Sequence, residues 1–198
     1  KILQEEKLKN KSFSKYLIMA PWAKIYKKDF LIKHGFQFLD YVIGEDVYFS
    51  LSIYLSTNKI GIIDYVGYNW FFNTQSVSNT VQRGVQKKVD ILFLLKKICD
   101  LKEYKKSKVL DYFFTRYSIW YLLFSGKSAT SEEFMKEHKR ILDYFKKNNI
   151  SRKAYFFEKG IKGEHVKNRF VVAIFLLLEK FHLVKLFSTL YCHAKKSS

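Results

Sequence analysis

The sequence predicts an α+β fold, predominantly α-helical, on three observations. Four stretches beyond residue 84 carry helical patterning and account for most of that half. The strand signals are two and short, the β-branched Lys59–Asp64 (KIGIID) and the aromatic Tyr68–Phe72 (YNWFF), both in the first half. The composition is that of a packed domain: 48% hydrophobic and 18% aromatic, with one proline and eight glycines in 198 residues. It excludes disordered, collagen-like and linker-rich classes, and the length suits one domain, or one with a small appendage.

The elements follow in order. Residues 1–11 alternate charge and read as a short helix-like stretch. Tyr16–Tyr26 (YLIMAPWAKIY) reads as extended, because Pro21 disfavours the helical region for Ala20. Lys28–His34 (KDFLIKH) is a short helix with Gly35 as its C′ stop. Residues 36–43 follow as loop or extended chain. Gly44-Glu45-Asp46 then opens a second helix (VYFSLSIYLST), whose leading carboxylates suit the helix dipole. After the two strands comes a polar loop, NTQSVSNT. Val85–Leu101, Lys106–Phe124 and Ser131–Lys147 are predicted helices; the last has a capping signal in Thr130 or Ser131 ahead of Glu132 and Glu133. Lys167–Tyr191 is a fourth. Its apolar run FVVAIFLLL is nine residues, short of the ~20 that span a bilayer.

Charge divides the chain. The net charge is +18, yet residues 1–84 hold 11 Lys/Arg against 7 Asp/Glu, a net of +4, while residues 85–198 hold 25 against 11, a net of +14. The chain is therefore read as two regions, 1–84 and the basic, aromatic-rich 85–198. A field of that sign favours an anionic partner: a phosphorylated ligand, nucleic acid or an acidic lipid surface. Cys99 and Cys192 lack metal spacing and read as reduced intracellular thiols. The five histidines form no HxH or HExxH pair. No signal peptide is expected at the N-terminus, which lacks an apolar h-region; without an initiator Met it does not read as a natural beginning.

The informative stretch runs from Ala20 to Ser78. It reads A-P-W-A-K-I-Y-K-K-D-F, H-G-F-Q-F, G-E-D-V-Y-F-S, K-I-G-I-I-D-Y-V-G-Y-N-W-F and Q-S-V-S in turn. This order resembles the C-terminal part of family 2 glycosyltransferases, GT-A enzymes common in capsule and exopolysaccharide biosynthesis. Their pattern runs PW-x-K-[LI]-[YF], a helix ending in G-x-x-F, an E-D pair opening a helix, a strand, a Y-x-[YW] strand and an S-[IV]-[ST] loop. The likeness covers about sixty of the 198 residues.

The resemblance implies transfer of a sugar, with inversion, from a nucleoside-diphosphate sugar donor to a saccharide or lipid-linked acceptor. The general base then falls on Asp46, with Glu45 beside it shaping the site. An isolated Glu-Asp pair more often does no more than favour a helix start; the flanking pattern tips the balance. The requirement is physical: a base must be ionised, reachable and held by a rigid element, and a helix N-terminus offers free N–H groups that keep a carboxylate charged.

Further candidates for substrate binding are Trp22, Lys24, Tyr68, Trp70 and Ser76. The Trp22 indole suits stacking on a sugar face and equally a core position. Lys24 suits a diphosphate or acceptor group and equally a plain surface. Tyr68 and Trp70, two apart on a predicted strand, share a face that floors an acceptor site or packs in the core. Ser76 and Ser78, with Asn73 and Gln75, suit a loop over the diphosphate or a solvated one. Where the family often has Asn and Arg, this chain has Ala23 and Phe71.

The family's divalent metal, Mg or Mn, is held by a D-x-D-type motif in an N-terminal α/β half. No D-x-D occurs in this sequence. The expectation is an incomplete GT-A catalytic domain, its C-terminal half with few strands, followed by a helical subdomain: part of a longer chain, with no metal ligands of its own and inactive alone. Lys-Lys pairs beside ILFLL and YFFTRYSIWYLLF offer an anionic membrane surface as a partner. The expected location is cytoplasmic, with the inner face of the membrane as an extension of it. The alternative is a non-catalytic basic helical module binding nucleic acid or an anionic membrane. No RRM, KH, zinc or homeodomain signature is present, and no nucleic acid is expected.

Overall fold

A computed structural model describes residues 2–7, 19–57, 59–63, 65–76, 84–85, 89–158, 161 and 164–192. Its elements are β1 (Ile2–Lys7), α1 (Lys28–His34), α2 (Glu45–Ser56), β2 (Lys59–Ile63), α3 (Ile91–Cys99), α4 (Lys108–Phe124), α5 (Ser131–Lys147), α6 (Val166–Lys180) and α7 (Val184–Tyr191). A 3-10 turn, Gly126–Ser128, joins α4 to α5. The architecture is helical, with one small antiparallel sheet of β1 and β2 among the described residues.

The helix α4 is the axis. Twelve of its 17 residues are buried, including Tyr112, Phe113, Phe114, Tyr121 and Leu122. A helix apolar on every side needs neighbours all round, and α3, α5, α6 and the 3-10 turn pack against it. Helix starts are well built. The Ser107 hydroxyl accepts from the Leu110 N–H at 3.2 Å and opens α4. Thr130 and Glu133 form a reciprocal capping box at the head of α5. Asp90 caps α3 through the Leu92 N–H and pairs with Arg140 of α5 at 2.5 Å.

One hydrophobic core crosses residue 84. Ile43, Val47, Leu51, Tyr54 and Leu55 belong to the same cluster as Leu94, Leu95, Phe113 and Tyr117, and α2 packs on α3. The charge division of the sequence is therefore not a packing division.

Several sequence expectations change. Residues 2–7 form a strand rather than a helix-like stretch: local charge alternation is weak beside a partner strand, and β1 pairs with β2 from Glu5↔Gly61 to Lys7↔Lys59. Residues 8–11 and 16–18 lie outside the described residues. No strand forms over 68–72; these residues are irregular and exposed, with no neighbouring strand to pair with among the described residues. The helix predicted from Val85 begins at Ile91, where Asp90 caps it. The stretch predicted as one helix from Lys167 to Tyr191 is two. His182 takes a left-handed φ of 58° between them, which lets α7 fold back on α5, where the Ser131 and Ser188 hydroxyls meet at 2.7 Å. The apolar runs ILFLL and YFFTRYSIWYLLF supply the core rather than a membrane face.

Candidate functional site

The site forms where the loop before α1 meets the head of α2. Gly44 precedes α2 in the left-handed region, at φ 78°. A β-carbon there would lie 2.3 Å from Leu94 Cδ2 and 3.2 Å from the Tyr117 hydroxyl. The head of α2 is thus seated on α3 and α4 at a position only glycine occupies without strain. Asp46 and Glu45, in the first turn, inherit that placement.

The opposing wall is the loop 20–26, which folds on itself. The Lys24 ammonium donates to the Ala20 carbonyl, and the Tyr26 hydroxyl donates to the Pro21 carbonyl at 3.2 Å. Ala23 sits at φ 57°, in the left-handed region. Tyr26 meets the α2 residue Phe49 edge-on at 5.7 Å, and Phe38 stacks on the same ring at 4.1 Å. These ring contacts hold the loop against α2.

Asp46 and Lys24 face one another electrostatically. Both are half-buried. Burial pushes the Asp46 carboxyl above its ordinary range, and the Lys24 charge pulls it part of the way back. Burial likewise lowers the Lys24 ammonium, while Asp46 raises it. The helix dipole alone led to a readily ionised carboxylate; desolvation outweighs it here. Glu45 is also raised, first by burial and then by the Asp46 charge, against an opposing hydrogen bond from its own backbone. A half-buried carboxylate with an elevated pKa beside a cation, at a rigid helix head, has the properties of a proton acceptor.

The aromatic candidates separate. Trp22 and Tyr68 stack at 5.0 Å with an interplanar angle of 15°, both more than a third exposed. They are two ring faces at a surface rather than core residues. Trp70 pairs instead with Phe72, edge-on at 6.1 Å. With no strand over these residues, Tyr68 and Trp70 do not form one floor. Ser76 belongs to a turn set by Asn73, whose carbonyl accepts from the Ser76 N–H at 3.2 Å and whose side-chain oxygen accepts from the Gln75 N–H at 2.9 Å. Ser78 lies outside the described residues.

Two neighbours of the carboxylates escaped the sequence reading. Tyr26, inside the A-K-I-Y segment, is raised by burial and by the Asp46 charge. Tyr117, on α4, is raised by burial and then by the Glu45 charge. Nothing local marks Tyr117, which lies some seventy residues from the pair it faces.

Among the described residues no group of three or more His, Cys, Asp and Glu side chains converges to hold a metal. Glu45 and Asp46 beside a lysine do not by themselves fit a divalent cation. Comparison with known protein families, curated proteins and solved structures finds none that matches this chain.

Proposed function

We propose that this chain carries the acceptor side of an inverting glycosyltransferase, with Asp46 as general base. The carrying observation is the convergence of Lys24, Glu45 and Asp46, from two separate pieces of the family-2-like pattern, on a helix head fixed by Gly44. Their sequence order alone does not require it. The stacked, exposed Trp22–Tyr68 pair beside this loop offers ring faces of the kind that pack on sugar rings. Ala23 adds support: the family often has Asn there, and Asn adopts the left-handed backbone of this position more readily than Ala.

In this reading an acceptor hydroxyl approaches Asp46. The carboxylate takes the hydroxyl proton as the acceptor oxygen forms its bond to the anomeric carbon. The bond from that carbon to the diphosphate breaks on the opposite face, and the diphosphate leaves with the electron pair. Inversion follows. Glu45 accepts hydrogen bonds from neighbouring acceptor hydroxyls. Lys24 favours the ionised form of Asp46 against the effect of burial.

The test is the chain expressed with whatever polypeptide its gene places around it, supplied with nucleoside-diphosphate sugars and saccharide or lipid-linked acceptors. Asp46→Asn lowers transfer roughly 10²–10⁴-fold, with the circular dichroism spectrum unchanged. Transfer at the original rate in that variant ends the proposal.

A further inference from the structure

We infer that α6 and α7 form a docking surface for the interface of an anionic lipid bilayer. The inference is independent of sugar transfer and rests on a face the fold leaves uncovered. Along α6, Val166, Phe170, Ile174 and Leu177, with Phe181 just beyond, are between 51% and 62% exposed. At 3.6 residues per turn these five lie within an arc of about 80°. The opposite face, with Val172 and Phe175, is the buried one. In α7, Leu186 and Leu190 are exposed four residues apart, and the exposed Leu183 lies three residues before Leu186. Two consecutive helices therefore each carry an apolar stripe away from the core, far more than scattered surface leucines amount to.

Charge selects the occupant. Lys167 and Lys180 flank the α6 stripe on its two sides, and Lys185 lies on α7; all three are exposed. The one acid between residues 165 and 192 is Glu179, and it is turned inward. His138 Nε2 lies 2.9 Å from it, and Arg152 donates to it through Nε at 3.1 Å. Just before α6, Glu164 is bound by Arg116 at 2.7 Å. An apolar stripe bordered by lysines, with its carboxylate neutralised internally, is complementary to a surface of anionic headgroups over hydrocarbon. A second copy of the chain would bring the same lysine rows against each other. Among the described residues no helix is long and apolar enough to cross a membrane, so the helices lie in the interface, α6 covering about 22 Å of it.

The experiment is sedimentation of the chain with phosphatidylcholine vesicles, with and without phosphatidylglycerol. Binding is expected to the anionic vesicles and to weaken with added salt. Ile174→Asp with Leu177→Asp is expected to lower partitioning about tenfold or more. Neutralising Lys167, Lys180 and Lys185 to Gln is expected to lower it roughly fivefold per charge. Ile32→Ser, at an exposed site on α1, leaves it unchanged. Should the double aspartate variant fail to fold, Leu177→Trp reads the same surface: the emission of the introduced indole is quenched by brominated acyl chains in anionic vesicles. The inference is overturned by equal binding to neutral vesicles, by no binding, or by binding that ignores the aspartates. It is also overturned by a dimer in light scattering that these substitutions dissociate, or by unquenched emission from the Leu177→Trp variant.

Discussion

Gly44 and Leu94 are packed so closely that a single added methyl group would place its carbon 2.3 Å from the leucine's Cδ2. Leu94 is fully buried, so its side chain has no open space to swing into. Gly44→Ala combines this overlap with a non-glycine residue at φ 78°. Overpacking costs about 1–3 kcal/mol and a left-handed alanine about 1–2 kcal/mol. The expected loss, read by urea unfolding, is about 2–5 kcal/mol. Gly35, also left-handed but with nothing within 4 Å of its missing β-carbon, serves as the comparison: Gly35→Ala carries the backbone penalty alone.

Ala23 offers the reverse case. It holds φ 57° without glycine's freedom, and it lies between Trp22 and Lys24 in the candidate site. Ala23→Asn keeps the conformation with a side chain that tolerates it, and is expected to stabilise the chain by up to about 1 kcal/mol. Thermal unfolding checks this. A fall in the melting temperature would mean that the loop 20–26 is not held in the left-handed turn described.

These two positions show what the sequence discloses. Gly35, Thr130 and Glu133 are legible because caps are local: a stop glycine after α1 and a reciprocal side-chain pair at α5 act within four residues. The Glu45–Asp46 helix start is legible for the same reason. The break at His182 is not, because no glycine or proline marks it and its cause is the docking of α7 on α5. The strand β1 is hidden similarly, since its partner lies more than fifty residues away. At the site, the order of motifs brings Lys24 and Asp46 together as candidates, but Tyr117 enters only through packing of α4 beneath Gly44. The same packing turns apolar runs that look like membrane surface into core, and leaves α6 and α7 exposed instead.

Glu179 ties α6 to α5 and to the segment that follows it, and sets an acid limit on stability. Burial raises its carboxyl, but the hydrogen bond from His138 and the charge of Arg152 outweigh that and hold it below the ordinary range. A carboxyl lowered on folding contributes stability that is present above its unfolded pKa and is lost as pH falls through the folded value. Glu179→Ala leaves Arg152 half-enclosed without its carboxylate partner and is expected to cost about 2–4 kcal/mol at neutral pH. Below the ordinary carboxylate range the variant and the parent converge. Melting curves across that range check it; parallel curves would mean that the pairing does not stabilise the fold.

Asp46 behaves in the opposite sense to Glu179. Its pKa is raised on folding, chiefly by burial, so its ionisation works against the fold. The stability it contributes is full below the unfolded pKa and is lost as pH rises through the folded one. Asp46→Asn is therefore expected to raise the melting temperature at neutral pH and to have no effect in acid. Lys24→Met removes the charge that pulls the carboxyl down, so the Asp46 titration midpoint, followed by carbon NMR at Cγ, moves further up. A midpoint at or below the ordinary aspartate value in the parent chain, or a fall on Lys24→Met, would show that the two groups do not share a half-buried site. A carboxylate that ionises against the fold is what the proposed role of Asp46 as a general base requires.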